Sequence, residues 1–100
     1  MSRIVALGAG RMGRGIAQVF AYAGYEVEIV DFKDRSAADS AALLAEAKEE
    51  IRENLNFLHS LKSIETDEIE ATLSRVTGVP LANANDCLSN ADYVFEGVPE

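Results

Sequence analysis

The chain has 100 residues, 48% of them hydrophobic, and a formal net charge of −8 at pH 7. This size and composition predict one compact unit with one core. The negative charge argues against nucleic acid and anionic membranes as partners, because both bind through a basic face. No long apolar run occurs, and a short strand begins almost at Met1, so we expect neither a membrane span nor a signal peptide, and a cytoplasmic protein.

The first predicted element is a short apolar strand over residues 4–7, which runs directly into Gly8-Ala9-Gly10-Arg11-Met12-Gly13. Gly8 lets the chain turn sharply out of the strand, Gly10 lets the backbone approach a pyrophosphate, and Gly13 lets the next helix lie close to the sheet. That helix offers unpaired N–H groups and the positive end of its dipole, which hold phosphate without a metal. The loop therefore predicts a site for a nicotinamide or flavin dinucleotide.

The helix after this loop has apolar residues at helical spacing, which predict a face packed on the sheet. These residues are Ile16, Val19, Phe20 and Ala23. Gly24 follows where a left-handed C-cap is expected. Arg11 and Arg14 add positive charge near the loop, either as phosphate contacts or as solvated surface groups.

The second predicted strand covers residues 25–31 and ends at Asp31, eighteen residues beyond Gly13. A carboxylate at the carboxyl edge of an open α/β sheet accepts hydrogen bonds from the adenine ribose and repels a 2′-phosphate. Asp31 therefore favours NAD over NADP, although Lys33 and Arg35 could reduce the discrimination. Glu28 makes the strand more polar than a strand buried on both faces should be, and nothing in the sequence explains it.

The middle of the chain predicts a helical hairpin. Residues 36–60 form one long helix with a buried stripe. The residues of that stripe are Ala41, Leu44, Ile51, Leu55 and Leu58. A shorter helix begins at Thr66-Asp67, where Asp67 and Glu70 have the spacing of a capping box and Ile69 with Leu73 supplies an apolar pair.

The remaining elements complete an α/β fold. Residues 75–79 are the third predicted strand, Asn83 or Asn85 caps a short helix, and residues 92–98 are the fourth strand. We therefore predict a Rossmann-type doubly wound parallel sheet of strand order 3-2-1-4, with the long helical hairpin inserted after the second strand.

Two reactive side chains carry no predicted chemistry, and no metal site is predicted. Cys87 is the only cysteine, so it forms no internal disulfide, and its position on a short helix is typical of a buried small hydrophobe rather than a nucleophile. His59 is the only histidine and lies near the end of the long helix, where its charge suits the dipole. We assign no catalytic residue within residues 1–100.

The glycine loop with Gly15-Ile16-Ala17-Gln18 after it, the Val30-Asp31 strand end, the helical hairpin and the closing stretch over residues 91–100 together resemble the NAD-binding domain of the L-3-hydroxyacyl-CoA dehydrogenases. The closing Glu-Gly-Val-Pro-Glu is less generic than the loop. The resemblance covers the whole chain. Within the family, 3-hydroxybutyryl-CoA dehydrogenases, the lambda-crystallin and gulonate dehydrogenase group, and carnitine dehydrogenases share this domain.

The resemblance implies oxidation of a 3-hydroxyacyl-CoA to a 3-ketoacyl-CoA, with NAD as the hydride acceptor. It implies contacts to NAD from the loop and strand ends, namely Gly8, Gly10, Arg11, Met12, Gly13, Asp31, Phe32, Gly97, Val98 and Glu100. It also implies a downstream helical domain that forms a homodimer, covers the substrate and supplies a histidine–glutamate pair. The alternatives are another NAD-dependent Rossmann oxidoreductase, such as a beta-hydroxyacid, sugar-nucleotide, gulonate or carnitine dehydrogenase, and a non-catalytic NAD-binding protein.

Overall fold

A computed structural model describes residues 3–62 and 64–96 as a parallel sheet with helices on both faces. In chain order the elements are β1 (Arg3–Leu7), α1 (Arg11–Tyr22), β2 (Glu26–Val30), α2 (Ala37–Ser60), α3 (Thr66–Ser74), β3 (Val76–Val79), a 3₁₀ turn (Leu81–Asn83), α4 (Ala84–Ser89) and β4 (Tyr93–Glu96). The strands are parallel in the order β3-β2-β1-β4. The predicted doubly wound sheet and the helical hairpin after its second strand are confirmed.

Each face of the sheet has its own core, because successive strand residues point to opposite sides. On one side Ile4 and Ile29 pack with Ile51 and Leu55 of α2. On the other side the strands pack against the smaller α4, chiefly through Val5, Val30, Val79, Ala84 and Cys87. Among the described helices, none is long and apolar enough to cross a membrane.

The buried face of α1 differs from the predicted stripe. Ala17 and Ala21 are fully buried, whereas Val19 is 65% exposed and Ala23 is also exposed. Small residues spaced four apart let the helix approach the sheet closely, so the contact depends on size rather than on hydrophobicity. The expectation that Val19 and Ala23 face the sheet was wrong.

The end of α1 follows the predicted C-cap. Gly24 has φ of 108°, a conformation that glycine adopts without a steric penalty. Its N–H donates to the Ala21 carbonyl, and the Tyr25 N–H donates to the Phe20 carbonyl, which is the Schellman pattern. The rings of Phe20 and Tyr25 meet edge to face with centroids 5.9 Å apart. This cap turns the chain directly into β2.

The long helix α2 begins after Ser36, whose Oγ accepts a hydrogen bond from the Asp39 N–H at 3.1 Å. Four of its residues are buried: Ser40, Ala47, Ile51 and Leu55. The predicted stripe is therefore partly confirmed, because Ile51 and Leu55 are in it. Ala41 was placed in the stripe wrongly and is exposed.

The second helix of the hairpin is capped two residues earlier than predicted. Glu65 is the N-cap residue, and its N–H donates to Glu68 Oε1 at 2.8 Å while its side chain accepts from the Glu68 backbone. The predicted pairing of Asp67 with Glu70 was wrong. Glu70 instead accepts a hydrogen bond from Arg52 of α2 at 2.9 Å and so joins the two helices.

The short α4, which has Asn83 at its N-cap, lies on the face of the sheet toward which Glu28 of β2 points. Glu28 keeps 19% of its side chain exposed. Its Oε1 lies 3.1 Å from Arg3 Nε. Burial, followed by the hydrogen bond and charge of Glu28, raises the pKa of the Cys87 thiol to about 11. The thiol is therefore neutral at physiological pH and a weak nucleophile.

Candidate dinucleotide-binding site

The glycine loop follows β1 in the chain and is hydrogen-bonded to the carboxyl end of β2. Gly8 has φ of 108°, and its N–H donates to the Val30 carbonyl at 2.8 Å. A Cβ at Gly13 would lie 1.9 Å from the Gly8 carbonyl oxygen. No side-chain carbon can lie so close to a backbone oxygen. Glycine at position 13 therefore allows the first turn of α1 to cross the backbone of the loop.

The N-terminus of α1 lies beside this turn and carries no negative charge. Gly10 is the N-cap residue, it makes no side-chain capping bond, and no acidic residue occurs in the first turn. The first intrahelical bond runs from the Arg14 N–H to the Gly10 carbonyl at 3.0 Å. The N–H groups that precede Arg14 in the helix are therefore available to an anion, which the helix dipole attracts.

Arg14 has a structural position that neither sequence interpretation predicted. It is 8% exposed, and its Nε donates to the Ala9 carbonyl at 2.9 Å. Its terminal nitrogen lies 3.2 Å from Glu50 and 3.5 Å from Glu46, both on α2. Arg14 is therefore not a solvated surface charge: it ties the loop to the helical hairpin.

Asp31 lies immediately after β2, at the same edge of the sheet, and is 1% exposed. Its carboxylate accepts hydrogen bonds from Ser40 Oγ, from Arg35 Nε and from the Lys33 N–H. Burial alone would raise the pKa of Asp31, but the hydrogen bonds from Ser40, Arg35 and Lys33 together outweigh it and lower the pKa below its ordinary value. At neutral pH Asp31 is a buried, ionised hydrogen-bond acceptor.

These groups line one cavity of about 460 Å³ at the carboxyl edge of β1 and β2. Its walls are formed by Gly8, Ala9, Gly10, Arg14, Asp31, Phe32, Lys33, Arg35 and Leu43. The structure thus brings together four of the residues predicted to bind the cofactor. The cavity combines an apolar wall with a few polar groups, which is typical of a cofactor site.

The other predicted contact residues lie elsewhere or are not described. Gly13 is buried behind the loop, and Met12 is 64% exposed and not part of the cavity wall. Arg11 is the first residue of α1. Gly97, Val98 and Glu100 lie outside the described residues.

Ser40 and Leu43 contribute to the site and were not predicted. Ser40 is 4% exposed and donates to Asp31 from nine residues further along the chain. A signal was available, because Ser40 is a polar residue on the same helical face as the buried Ala47 and Ile51. A polar side chain on a buried helix face requires a partner, and the nearby acid supplies it.

A cavity at the opposite edge of the sheet is slightly larger, about 520 Å³, and is lined by residues such as Arg3, Thr77 and Asn90. Ligands of open α/β sheets bind outside the carboxyl ends of the strands, whereas this cavity lies at the amino ends. It also lacks a glycine loop and a helix N-terminus among its lining residues. The cavity at Asp31 is therefore the candidate cofactor site, despite its smaller volume.

The residues of the Asp31 cavity suit a dinucleotide. The closely packed Gly8 and Gly13 backbones keep the loop clear of side chains, and the N-terminus of α1 offers donors to a pyrophosphate. Asp31 offers a charged acceptor to a ribose. Within residues 3–62 and 64–96, no cluster of three histidine, cysteine or acidic side chains forms a metal-binding group.

Comparison with solved structures gives the same fold in chains about three times as long. FadB2 of Mycobacterium tuberculosis is 31% identical with a TM-score of 0.82, and this chain covers 32% of its length and is itself covered fully. The (S)-3-hydroxybutyryl-CoA dehydrogenase of Ralstonia eutropha is 27% identical with a TM-score of 0.82, and 32% of it is covered by all of this chain.

Comparison with known sequences points to the same group of proteins as the comparison with solved structures. The human lambda-crystallin homolog is 29% identical over 98 residues, which are 97% of this chain and 28% of that protein. The profile of the family described as "3-hydroxyacyl-CoA dehydrogenase, NAD binding domain" matches residues 3–100. The chain therefore belongs to the family of NAD-binding domains of 3-hydroxyacyl-CoA dehydrogenases, and its cofactor is NAD.

Proposed function

We propose that this chain is the cofactor-binding part of an enzyme that oxidises a 3-hydroxyacyl-CoA to a 3-ketoacyl-CoA. The observation that carries the proposal is that the glycine loop and Asp31 line the same cavity. Relatives of known structure support the substrate class, since those of Ralstonia eutropha and Escherichia coli are 3-hydroxybutyryl-CoA dehydrogenases. Bound NAD would supply the hydride acceptor for this reaction.

The chain's own residues would bind and orient the cofactor. The N–H groups at the start of α1 would hold the pyrophosphate where Gly10 lets the backbone approach it. Asp31 would accept hydrogen bonds from the adenine ribose, and Phe32 lies beside it on the cavity wall. The contacts at the nicotinamide end are proposed to include Gly97, Val98 and Glu100, which follow β4 in the sequence.

The catalytic groups and the substrate-covering surface are proposed to lie in a further, helical domain that also forms a homodimer. The chain spans about a third of the length of its relatives, which leaves room for such a domain in the whole protein. We propose a cytoplasmic enzyme of fatty acid metabolism. Within residues 1–100 the sole histidine, His59, is engaged in the hairpin turn, where its Nδ1 lies 2.9 Å from the Ile64 carbonyl oxygen.

A turnover assay tests this division of labour. The chain is expected to bind NAD but to produce no NADH from 3-hydroxybutyryl-CoA, because the proposed catalytic histidine–glutamate pair belongs to the helical domain. A longer polypeptide that carries this chain and the proposed helical domain is expected to turn over in the same assay. Steady-state NADH production by the chain alone would contradict the proposed division, and NAD binding without turnover by the longer polypeptide would favour a non-catalytic NAD-binding protein.

Asp31 is expected to determine cofactor choice. A hydrogen bond to a charged acceptor contributes about 1.5–3 kcal/mol, so Asp31→Ser should weaken NAD binding by about one to two decades. The variant should also narrow the gap to NADP, because the repulsion of the 2′-phosphate is removed. Dissociation constants for both cofactors at one ionic strength measure this effect. An unchanged ratio of the two constants would mean that Asp31 does not bind the ribose.

A further inference from the structure

The carboxylate of Asp31 is fully occupied by protein donors. Arg35 Nε lies 2.8 Å from Oδ2 and 3.1 Å from Oδ1. Ser40 Oγ donates to Oδ2 at 2.8 Å, and the Lys33 N–H donates to Oδ1 at 3.3 Å. A carboxylate has about four lone-pair positions, so these four contacts leave none for another donor.

A ribose that binds Asp31 through two hydroxyls needs two of these positions. Ser40 is 4% exposed and held in α2, and the Lys33 donor is a backbone group. The Arg35 side chain is 31% exposed, lies on the cavity wall and has several rotatable bonds. Of these three donors, Arg35 is the one that can leave without unfolding local structure.

We propose that Arg35 occupies the ribose position in the free chain, so that it competes with NAD and sets the selectivity between NAD and NADP. The inference rests on the proposed role of Asp31 in binding the ribose. When a cofactor binds, the guanidinium leaves the carboxylate. Arg35 is only four residues from Asp31 in the sequence, so its side chain remains at the cavity wall. There it would pair with a 2′-phosphate, since guanidinium groups bind phosphate strongly.

Removing the guanidinium is therefore expected to tighten NAD binding, the opposite of what a direct contact residue would show. Arg35→Met keeps an unbranched side chain without donors. Its dissociation constant for NAD, measured by calorimetry on the chain, should fall by about two- to fivefold, the upper part of the range for ion pairs that have a solvent-exposed partner. Its affinity for NADP relative to NAD should fall, because loss of the competing guanidinium favours both cofactors alike whereas the attraction of the 2′-phosphate is lost for NADP alone.

Arg52→Met is the matched control. Arg52 also pairs with carboxylates, those of Glu49 and Glu70, but does not line the cofactor cavity. Both dissociation constants of this variant should equal those of the unmodified chain. Arg35→Lys supplies a second test, because it keeps the charge without the Nε donor and should retain more NADP binding than Arg35→Met. Far-UV circular dichroism verifies that each variant is folded.

Unchanged or weaker NAD binding by folded Arg35→Met, with Arg52→Met unaffected, would overturn the proposal and assign Arg35 to holding Asp31 in place. Failure of the proposed function gives a different result. In that case the unmodified chain does not bind NAD, or Asp31→Ser binds it as well as the unmodified chain, and the role of Arg35 is rejected together with that of Asp31.

Discussion

Replacing Gly13 with alanine is expected to destabilise the fold severely. The added Cβ would lie 1.9 Å from the carbonyl oxygen of Gly8, which is backbone and is itself held by a hydrogen bond to β2. The loop and the helix must therefore move apart, and overpacking of this kind costs about 1–3 kcal/mol. In a domain of this size a loss of about 2 kcal/mol lowers the melting temperature by roughly 10 °C. Thermal unfolding followed by circular dichroism measures it.

Gly15→Ala makes the same chemical change two residues further along α1 and serves as the control. A Cβ at Gly15 meets nothing within 4 Å. Alanine is the better helix former, so this variant should gain about 0.5–1 kcal/mol. The two substitutions should shift the melting temperature in opposite directions. Equal stability of Gly13→Ala and the unmodified chain would contradict the close crossing of loop and helix.

Gly10→Val is expected to remove most NAD binding while leaving the fold intact. Gly10 has φ of −81° and ψ of −169°, an extended conformation that valine also adopts, and it makes no side-chain cap that could be lost. The branched side chain would displace the pyrophosphate from the start of α1. Losing two charge-assisted hydrogen bonds costs at least about 3 kcal/mol, or about a hundredfold in affinity.

Calorimetry with NAD measures this loss, and Gly15→Val is the control because Gly15 is exposed and does not line the cavity. The control should bind NAD as the unmodified chain does. Undiminished affinity of folded Gly10→Val would mean that the pyrophosphate does not approach this loop.

Local chemistry made much of the fold predictable from sequence. The loop glycines, the Gly24 cap and the start of α2 depend on backbone geometry and neighbouring residues, and the predictions there were close. Strand order followed from the rules for parallel sheets once the glycine loop was placed.

The errors arose where distant contacts or size decided the outcome. Ala17 and Ala21, four residues apart, lie on the buried face of α1, whereas the more hydrophobic Val19 lies on another face and is exposed. Glu65 was overlooked as a cap because serine, threonine, aspartate and asparagine are the preferred N-cap residues.

The site was harder to predict than the fold, since its polar network joins residues from separate elements. Asp31 and the loop could be identified from spacing alone. The bond from Ser40 to Asp31, and those from Arg14 to α2, depend on how the hairpin packs, which no local pattern specifies. The competition between Arg35 and a ribose likewise becomes visible only when the carboxylate's partners are counted.

Mapping of amide chemical shifts during an NAD titration tests the central claim most directly, because it locates the cofactor on the chain. The account predicts saturable shifts at Gly8, Gly10 and Lys33 around the Asp31 cavity, with Thr77 and Asn90 at the opposite edge of the sheet unchanged. Shifts confined to Thr77 and Asn90, or none at saturating NAD, would contradict the assignment of the cofactor site.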